Sequence, residues 1–228
     1  HLDVSCTHLK NLPEGLESLP SLRFLNASQS RLGSLPEALH EFPALTRLHL
    51  DHCALKSLPA GISRCARLAA LSLGHNPLRA LPAGFSTMRS LSELNLSKTK
   101  IEALPDDFGS LQALSDLDLS ETKITALPES FGRLTRLLRL SLRSVQIGSL
   151  PESFGELAAL ATLDVSRTWL REYRPSFGAL ARLQSLDVTH TPLRSPGLDH
   201  IALPTAFRTL GALAHLRAES CCLGALPD

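Results

Sequence analysis

The chain has 228 residues, of which 43% are hydrophobic, and this is enough apolar material for a large core. Only 4% of the residues are aromatic, so aliphatic side chains must fill most of that core. The formal net charge of +1 excludes the strong basic field that nonspecific nucleic-acid binding requires, and no apolar run approaches the length of a membrane span.

A 23-residue period runs along the chain from its first residue. Leucine or a similar apolar residue falls at positions 2, 4, 9, 12, 16, 19 and 22 of each unit. Eight units follow one another without slippage, the ninth (residues 185–214) has 30 residues, and a tenth begins at His215. Because one such unit cannot bury its own apolar face, we predict a single solenoid domain over residues 1–228.

Each unit is expected to open with a short strand. Positions 2 and 4 are apolar and alternate with polar residues, as in Leu94-Asn95-Leu96, which is the period of a strand with one buried face. The strands are expected to stack as a parallel, concave sheet. Position 7 carries Thr, Ser, Cys or Asn in every unit except the seventh, where Val145 lacks a hydrogen-bonding group and is expected to weaken one turn.

The second half of each unit is predicted to be a short 3-10 or irregular helix on the convex side. Leu-Pro occupies positions 12 and 13 in nine of the ten units, and proline restricts both its own φ and the residue before it. Positions 16, 19 and 22 follow at three-residue spacing, which suits a 3-10 helix. Position 16 predicts an aromatic spine made of Phe85, Phe108, Phe131, Phe154, Phe177 and Phe207.

The clearest units, residues 117–133 and 163–179, follow the form LxxLxLxxTxLxxLPxSFGxLxx, although the second lacks the Leu-Pro pair. This pattern resembles the 23-residue class of leucine-rich repeats found in plant Ras-group proteins, in plant resistance receptors and in bacterial type III secreted effectors of plant pathogens. The Ala-, Arg- and Leu-rich background, with one Met and one Tyr, favours the bacterial effectors. The resemblance implies an α/β leucine-rich-repeat solenoid of about ten repeats.

The resemblance also implies a protein–protein interaction module, the target-recognition domain of a secreted effector that binds a protein inside host cells. Two alternatives stay open. The chain would be the substrate-recognition arm of an E3 ubiquitin ligase whose catalytic domain lies outside it, or an endogenous intracellular signalling scaffold. Neither end of the sequence shows the polar cap that terminal repeats need, so we expect a fragment of a longer protein.

Binding residues are expected where side chains leave the core, at positions 1, 3 and 5 of the concave strands and at positions 6 and 8 of one rim. One candidate band combines acidic strand residues with a basic rim, which suits electrostatic complementarity to a partner. The alternative is an ordinary charged solvent face. The band consists of Glu93, Asp116 and Asp118 on the strands and Lys98, Lys100 and Lys123 on the rim, with Glu121 among them.

A second candidate site lies in units seven to nine. Trp169, the single tryptophan, occupies rim position 8, and Trp and Arg dominate interface hot spots. Tyr173 takes the place of the usual leucine of the Leu-Pro pair, either as a contact residue or as a core residue. A seven-residue insertion, placed at residues 196–202, is expected to form a loop beside it. The candidate residues are Arg139, Arg143, Arg167, Trp169, Tyr173, Asp199 and His200.

No catalytic, cofactor or metal site is predicted, since the sequence has no Gly-rich phosphate loop and no nucleophile motif. His52 and His75 share position 6 of adjacent units, and we interpret them as part of a solvated polar face rather than as metal ligands. The five cysteines lack zinc-site spacing and favour a reducing intracellular compartment, which for an effector is the host cytoplasm. Neither nucleic acid nor a membrane is an expected partner. Two glycosylation sequons, at Asn26 and Asn95, are interpreted as chance matches.

Overall fold

The computed structural model describes residues 1–13, 15–16, 19–171, 173–192 and 205–221. Its ten strands form one parallel sheet in which their order equals their order in the sequence. They are β1 (Leu2–Asp3), β2 (Phe24–Asn26), β3 (Arg47–His49), β4 (Ala70–Ser72), β5 (Glu93–Asn95), β6 (Asp116–Asp118), β7 (Arg139–Ser141), β8 (Thr162–Asp164), β9 (Ser185–Asp187) and β10 (His215–Arg217).

The strand register confirms the predicted repeat. Strands β1 to β9 pair residues that are 23 apart in sequence, as Leu94 with Leu117, whereas β9 and β10 pair Leu186 with Leu216, which are 30 apart. From Leu25 to Leu186, the leucine at position 2 of each unit is at most 3% exposed. One face of the sheet therefore closes the core, and the side chains at positions 1 and 3 are left on the other face.

Short 3-10 helices lie on the far side of the core from the exposed sheet face, as predicted. In the described part of the chain their bounds are Glu37–Glu41, Ala60–Arg64, Phe85–Thr87, Phe108–Ser110, Glu129–Arg133, Glu152–Glu156, Pro175–Ala179 and Thr205–Thr209. Pro36 and Pro59 each adopt φ −65° immediately before a helix. Arg174 takes the same extended conformation at φ −63°, and Pro175 follows it as the first helical residue.

The predicted aromatic spine is present in the core. The ring centroids of Phe108, Phe131, Phe154 and Phe177 follow one another at 6.2 Å, with interplanar angles of 4–6°. Phe177 continues to Phe207 at 5.5 Å. Cys65 is also buried, as its core position predicts, and burial raises the pKa of its thiol to about 11.

A tight turn follows every strand and presents one rim of the sheet. The residue at position 6 is left-handed in all ten units, with φ between 53° and 58°, and none of the ten is glycine. At position 7, Thr99 and Thr122 each donate a side-chain hydrogen bond of 2.8 Å to the carbonyl three residues earlier. Val145 has no such bond, yet its backbone N–H still donates to Leu142 O at 3.1 Å. The seventh turn therefore lacks one side-chain bond and keeps its backbone bond.

Candidate functional site

An open groove of about 490 Å³ follows the exposed face of the sheet from β3 to β8. Side chains at positions 1 and 3 of these strands line it, and several are short: Ala70, Ser72, Ser141 and Thr162. Because the sheet is rigid and the lining side chains are small, a partner can approach the backbone of several strands at once. The groove is lined by residues of six adjacent strands.

Position 3 of the strands holds carboxylates and amides in fixed orientations. Asp118 Oδ1 accepts a hydrogen bond of 2.8 Å from the backbone N–H of Ser120, and Asp164 Oδ1 accepts one of the same length from Ser166. Asn95 Oδ1 accepts the backbone N–H of Ser97 at 2.9 Å. The spacing Asx-x-Ser/Thr is thus a local turn motif of the repeat, which gives the sequons at Asn26 and Asn95 a structural reason.

The acidic strand residues are not a uniform band. Asp116 forms an ion pair with Arg139, its register neighbour on β7, so the two sequence-predicted sites share this pair and are continuous. Glu93, which lies in register with Asp116, has no ion-pair partner in the described chain, and the same holds for Asp118 and Asp164. Uncompensated negative charge therefore remains in the groove.

Asp51, at position 5 of the third unit, serves the structure rather than the surface. Its Oδ1 accepts hydrogen bonds from Ser72 Oγ at 2.6 Å, from the backbone N–H of Gly74 at 2.8 Å and from Asn95 Nδ2 at 3.2 Å. These bonds tie three units together at their strand ends. Asp51 is the single aspartate at position 5, where Ser is the commonest residue, and this is the sequence feature that could have indicated its role.

The rim carries positive charge beside the groove. Lys98 lies 3.7 Å from Glu121, and both side chains are roughly half exposed. Lys123, Arg143 and Arg167 are exposed and form no ion pair within the described residues. A binding role for these groups stays a prediction.

Trp169 is exposed on the same rim, with 58% of its surface accessible, the largest exposure among the described large hydrophobic residues. Tyr173, by contrast, is in the core, where its ring contacts Phe177 and Phe207 edge-on at 4.7 and 5.1 Å. Burial raises the pKa of its hydroxyl well above the ordinary tyrosine value. The prediction that Tyr173 is a surface contact residue is therefore wrong, and the alternative prediction that it fills the core is confirmed. Asp199, His200 and the insertion at 196–202 lie outside the described residues.

His52 and His75 do meet, as their shared repeat position predicts. Their rings stack at 3.7 Å with an interplanar angle of 19° on the exposed rim. Face-to-face stacking directs the ring nitrogens outward in parallel rather than toward one point. Over the described part of the chain, no three His, Cys, Asp or Glu residues are grouped as a metal site requires.

Residues 43–101, 66–124 and 89–147 each match the leucine rich repeat family. A solved leucine-rich-repeat protein of Leptospira interrogans is similar over 96% of this chain, with 24% identity and a TM-score of 0.71. An internalin from Listeria monocytogenes is similar over 93%, with 18% identity and a TM-score of 0.79. No curated protein sequence matches this chain.

Residues 43–147 are thus leucine-rich repeats by sequence, and the fold is a leucine-rich-repeat solenoid. At identities below 25% the two structures support the fold alone. The chain spans 66% of the length of the Leptospira protein and 58% of the internalin. Leucine-rich-repeat domains are generally non-catalytic interaction modules. None of the described helices is long and apolar enough to cross a membrane.

Proposed function

We propose that this chain is a protein-interaction module that binds its partner on the exposed face of the sheet and the adjacent rim. The observation that carries the proposal is the open groove over β3 to β8, beside which Trp169 is left 58% exposed. Tryptophan is enriched among the residues that dominate binding energy at interfaces. An exposed tryptophan next to a rigid polar surface therefore suits the role of an interface anchor. No comparable aromatic side chain is exposed elsewhere in the described residues.

The side chains of the groove support binding rather than chemistry. Its carboxylates lie on an open surface rather than in an enclosed cleft. Rows of polar groups on a sheet instead offer many weak, precisely placed contacts over a wide area. Loops and strand faces that carry polar residues on a rigid scaffold are where solenoid proteins bind their partners.

The test is capture of partner proteins from plant-cell extract by the immobilised chain, followed by binding measurements with each purified captured protein. Trp169→Ala and Arg143→Ala should each weaken binding at least tenfold, and thermal unfolding should change little because both side chains are exposed. Arg136→Ala, on the exposed turn after the helix Glu129–Arg133, is the matched control and should leave binding unchanged.

Hydrogen–deuterium exchange then locates the footprint of the captured protein. Protection of β4 to β9 and of the turns that follow them supports the proposal. A footprint confined to the 3-10 helices, or equal losses in the Arg136 control and the two rim variants, would contradict it.

We further propose that the module is the target-recognition part of a secreted bacterial effector that acts in the reducing cytoplasm of a host cell. The resemblance of its repeats to those of such effectors and its Ala-, Arg- and Leu-rich composition support this assignment. The described cysteines Cys6, Cys53, Cys65 and Cys221 are free thiols, which is compatible with a reducing compartment.

The full-length reading frame tests this assignment against its two alternatives. Translocation of the protein into plant cells by a type III secretion system is the expected result. Ubiquitin transfer by the full-length protein in a reconstituted assay would make the chain the substrate-recognition arm of a ligase. Expression from a host gene without any secretion would instead identify an endogenous scaffold.

A further inference from the structure

Two charge stripes run side by side along the candidate surface. The acidic floor consists of Glu93, Asp118, Asp164 and Asp187, at positions 1 or 3 of β5, β6, β8 and β9. The basic rim consists of Lys98, Lys123, Arg143 and Arg167, at positions 6, 8, 5 and 6 of units five to eight respectively. Lys98 is the only one of these eight for which the described chain supplies an ion-pair partner, Glu121.

The floor is held in place before any partner arrives. Asp118, Asp164 and Asp187 each use one carboxylate oxygen to accept a backbone N–H two residues later, at 2.8, 2.8 and 2.9 Å. Asp164 and Asp187 are also direct register neighbours on β8 and β9, so like charges lie side by side. Arg139, the basic residue of the groove itself, is already paired with Asp116. Positive charge from a partner would relieve this repulsion.

The separation of the stripes matches one side of an α-helix. Within a unit, three to five residues that include the left-handed turn separate the floor from the rim, so the two stripes lie on the order of 10 Å apart. An α-helix with its side chains is about 10–12 Å across, so residues on its two flanks can reach both stripes at once. An extended segment directs alternate side chains to opposite faces and cannot present two stripes to one surface.

The spacing along the solenoid axis also fits a helix. Asp118 and Asp164 are two strands apart, and Lys123 and Arg167 likewise belong to units that are two apart. Two strand spacings correspond to about 9.6 Å along the solenoid axis. Residues seven apart on an α-helix are separated by about 10.5 Å on the same face. A partner helix with Lys or Arg at heptad spacing on one flank, and Asp or Glu on the next, meets both stripes in register.

We propose that the groove binds a charge-striped α-helix of a partner protein, lying along the solenoid with its basic flank on the acidic floor and its acidic flank against the basic rim. This inference rests on the proposed protein-binding role of the sheet face. The two stripes also fix the direction of the partner helix. A reversed helix would place its acidic flank on the acidic floor and its basic flank against the basic rim, so like charges would meet at both stripes.

The experiment uses two synthetic 21-residue helical peptides of identical composition and equal helicity. In the first, Lys and Glu form two adjacent stripes, and in the second the same residues are distributed evenly around the helix. Binding of each to the whole chain is measured by calorimetry at 50 mM salt, with the fluorescence of Trp169 as a second readout. The striped peptide should bind at least tenfold more tightly, and 500 mM salt should remove most of that difference.

Matched protein variants assign the effect to the stripes. Asp118→Asn with Asp164→Asn removes two charges and keeps the turn motif, since Asn95 makes the same bond at position 3. Lys123→Gln with Arg167→Gln removes two charges from the rim. Each pair should reduce the preference for the striped peptide at least fivefold, and Glu129→Gln with Arg133→Gln, on the convex helix, should not.

Equal binding of the two peptides, no binding of the striped one, or the same loss in the convex control each overturns the charge-striped helix. These results leave the proposed function intact if the captured partner still protects β4 to β9 from exchange. A partner that protects this face without contributing a helix overturns the inference alone.

Discussion

Glycine at position 17 of units five to seven is required by close contact with the next unit. A Cβ added to Gly109, Gly132 or Gly155 would come much closer than van der Waals contact to the carbonyl oxygen of a serine in the next unit, which is a severe steric clash. That serine is the first residue of the Ser-Phe-Gly motif, so the motif is a contact between units and not only a helix sequence. The phenylalanine between them can stack at 6.2 Å because the backbones approach this closely.

Gly132→Ala is therefore expected to lower the free energy of unfolding by about 2–3 kcal/mol, because the added methyl group must displace the backbone at Ser153. Urea denaturation followed by circular dichroism measures the change. Gly148→Ala is the control, since no atom lies within 4 Å of a Cβ at that position. Its effect should stay within about 0.5 kcal/mol. A similar loss of stability in both variants would show that close contact with Ser153 is not the cause of the destabilisation.

At the level of the turns, the stacked pair His52 and His75 combines two titratable rings with a neighbouring cation. Burial against its surroundings lowers the pKa of His75, and His52 and Lys98 lower it further, whereas Glu121 and Asp51 oppose the shift. The folded state therefore favours the neutral imidazole. Because the unfolded state binds this proton more readily, the free energy of unfolding should fall as the pH drops below the ordinary histidine pKa of about 6.5.

Nuclear magnetic resonance titration of the ring protons should place the pKa of His75 below that of an unperturbed histidine. Lys98→Gln should raise it, because a repelling cation is removed. His75→Gln, which copies Gln29 at the same left-handed position, should reduce the dependence of stability on pH between 5 and 7. A pKa of His75 at or above the ordinary value would contradict this electrostatic account.

The periodicity of the sequence was sufficient to predict the strands, their register and the aromatic spine. A shift of one residue would move every position-2 leucine from the core to the exposed face, so burial alone selects the register. The same frame could also have placed Tyr173 correctly, because it occupies position 12, which the Leu-Pro pair of the other units fills with a core leucine.

The details of the binding surface were harder to predict. The ion pair between Asp116 and Arg139 joins residues that the sequence had assigned to two separate sites. Both occupy position 1 of adjacent units, so their proximity followed from the frame, but the pairing depends on side-chain conformations that no repeat pattern specifies. The structural role of Asp51 likewise depends on side-chain conformations, because its hydrogen bonds extend into two later units.

At the scale of the whole molecule, the packing contacts between the described strands and helices join only neighbouring units. Each strand packs on the strand before and after it, and each helix on the adjacent helices. Stability in such a solenoid is approximately a sum of unit terms and nearest-neighbour terms. A substitution in a central unit should therefore affect its neighbours strongly and distant units weakly, in contrast to a globular core.

Phe131 offers the sharpest test of this coupling, because its ring is fully buried and stacks on both Phe108 and Phe154. Phe131→Ala should cost about 3–5 kcal/mol, since it removes a large side chain and leaves a cavity. The amide of Leu119 donates to Ser141 O, and its protection free energy in native-state hydrogen exchange should fall by most of that cost. The amide of Ala27, four units away and bonded to His49 O, should lose much less. Equal losses at the two amides would show that the solenoid unfolds as one indivisible unit, and the proposed limit on coupling between distant repeats would fail.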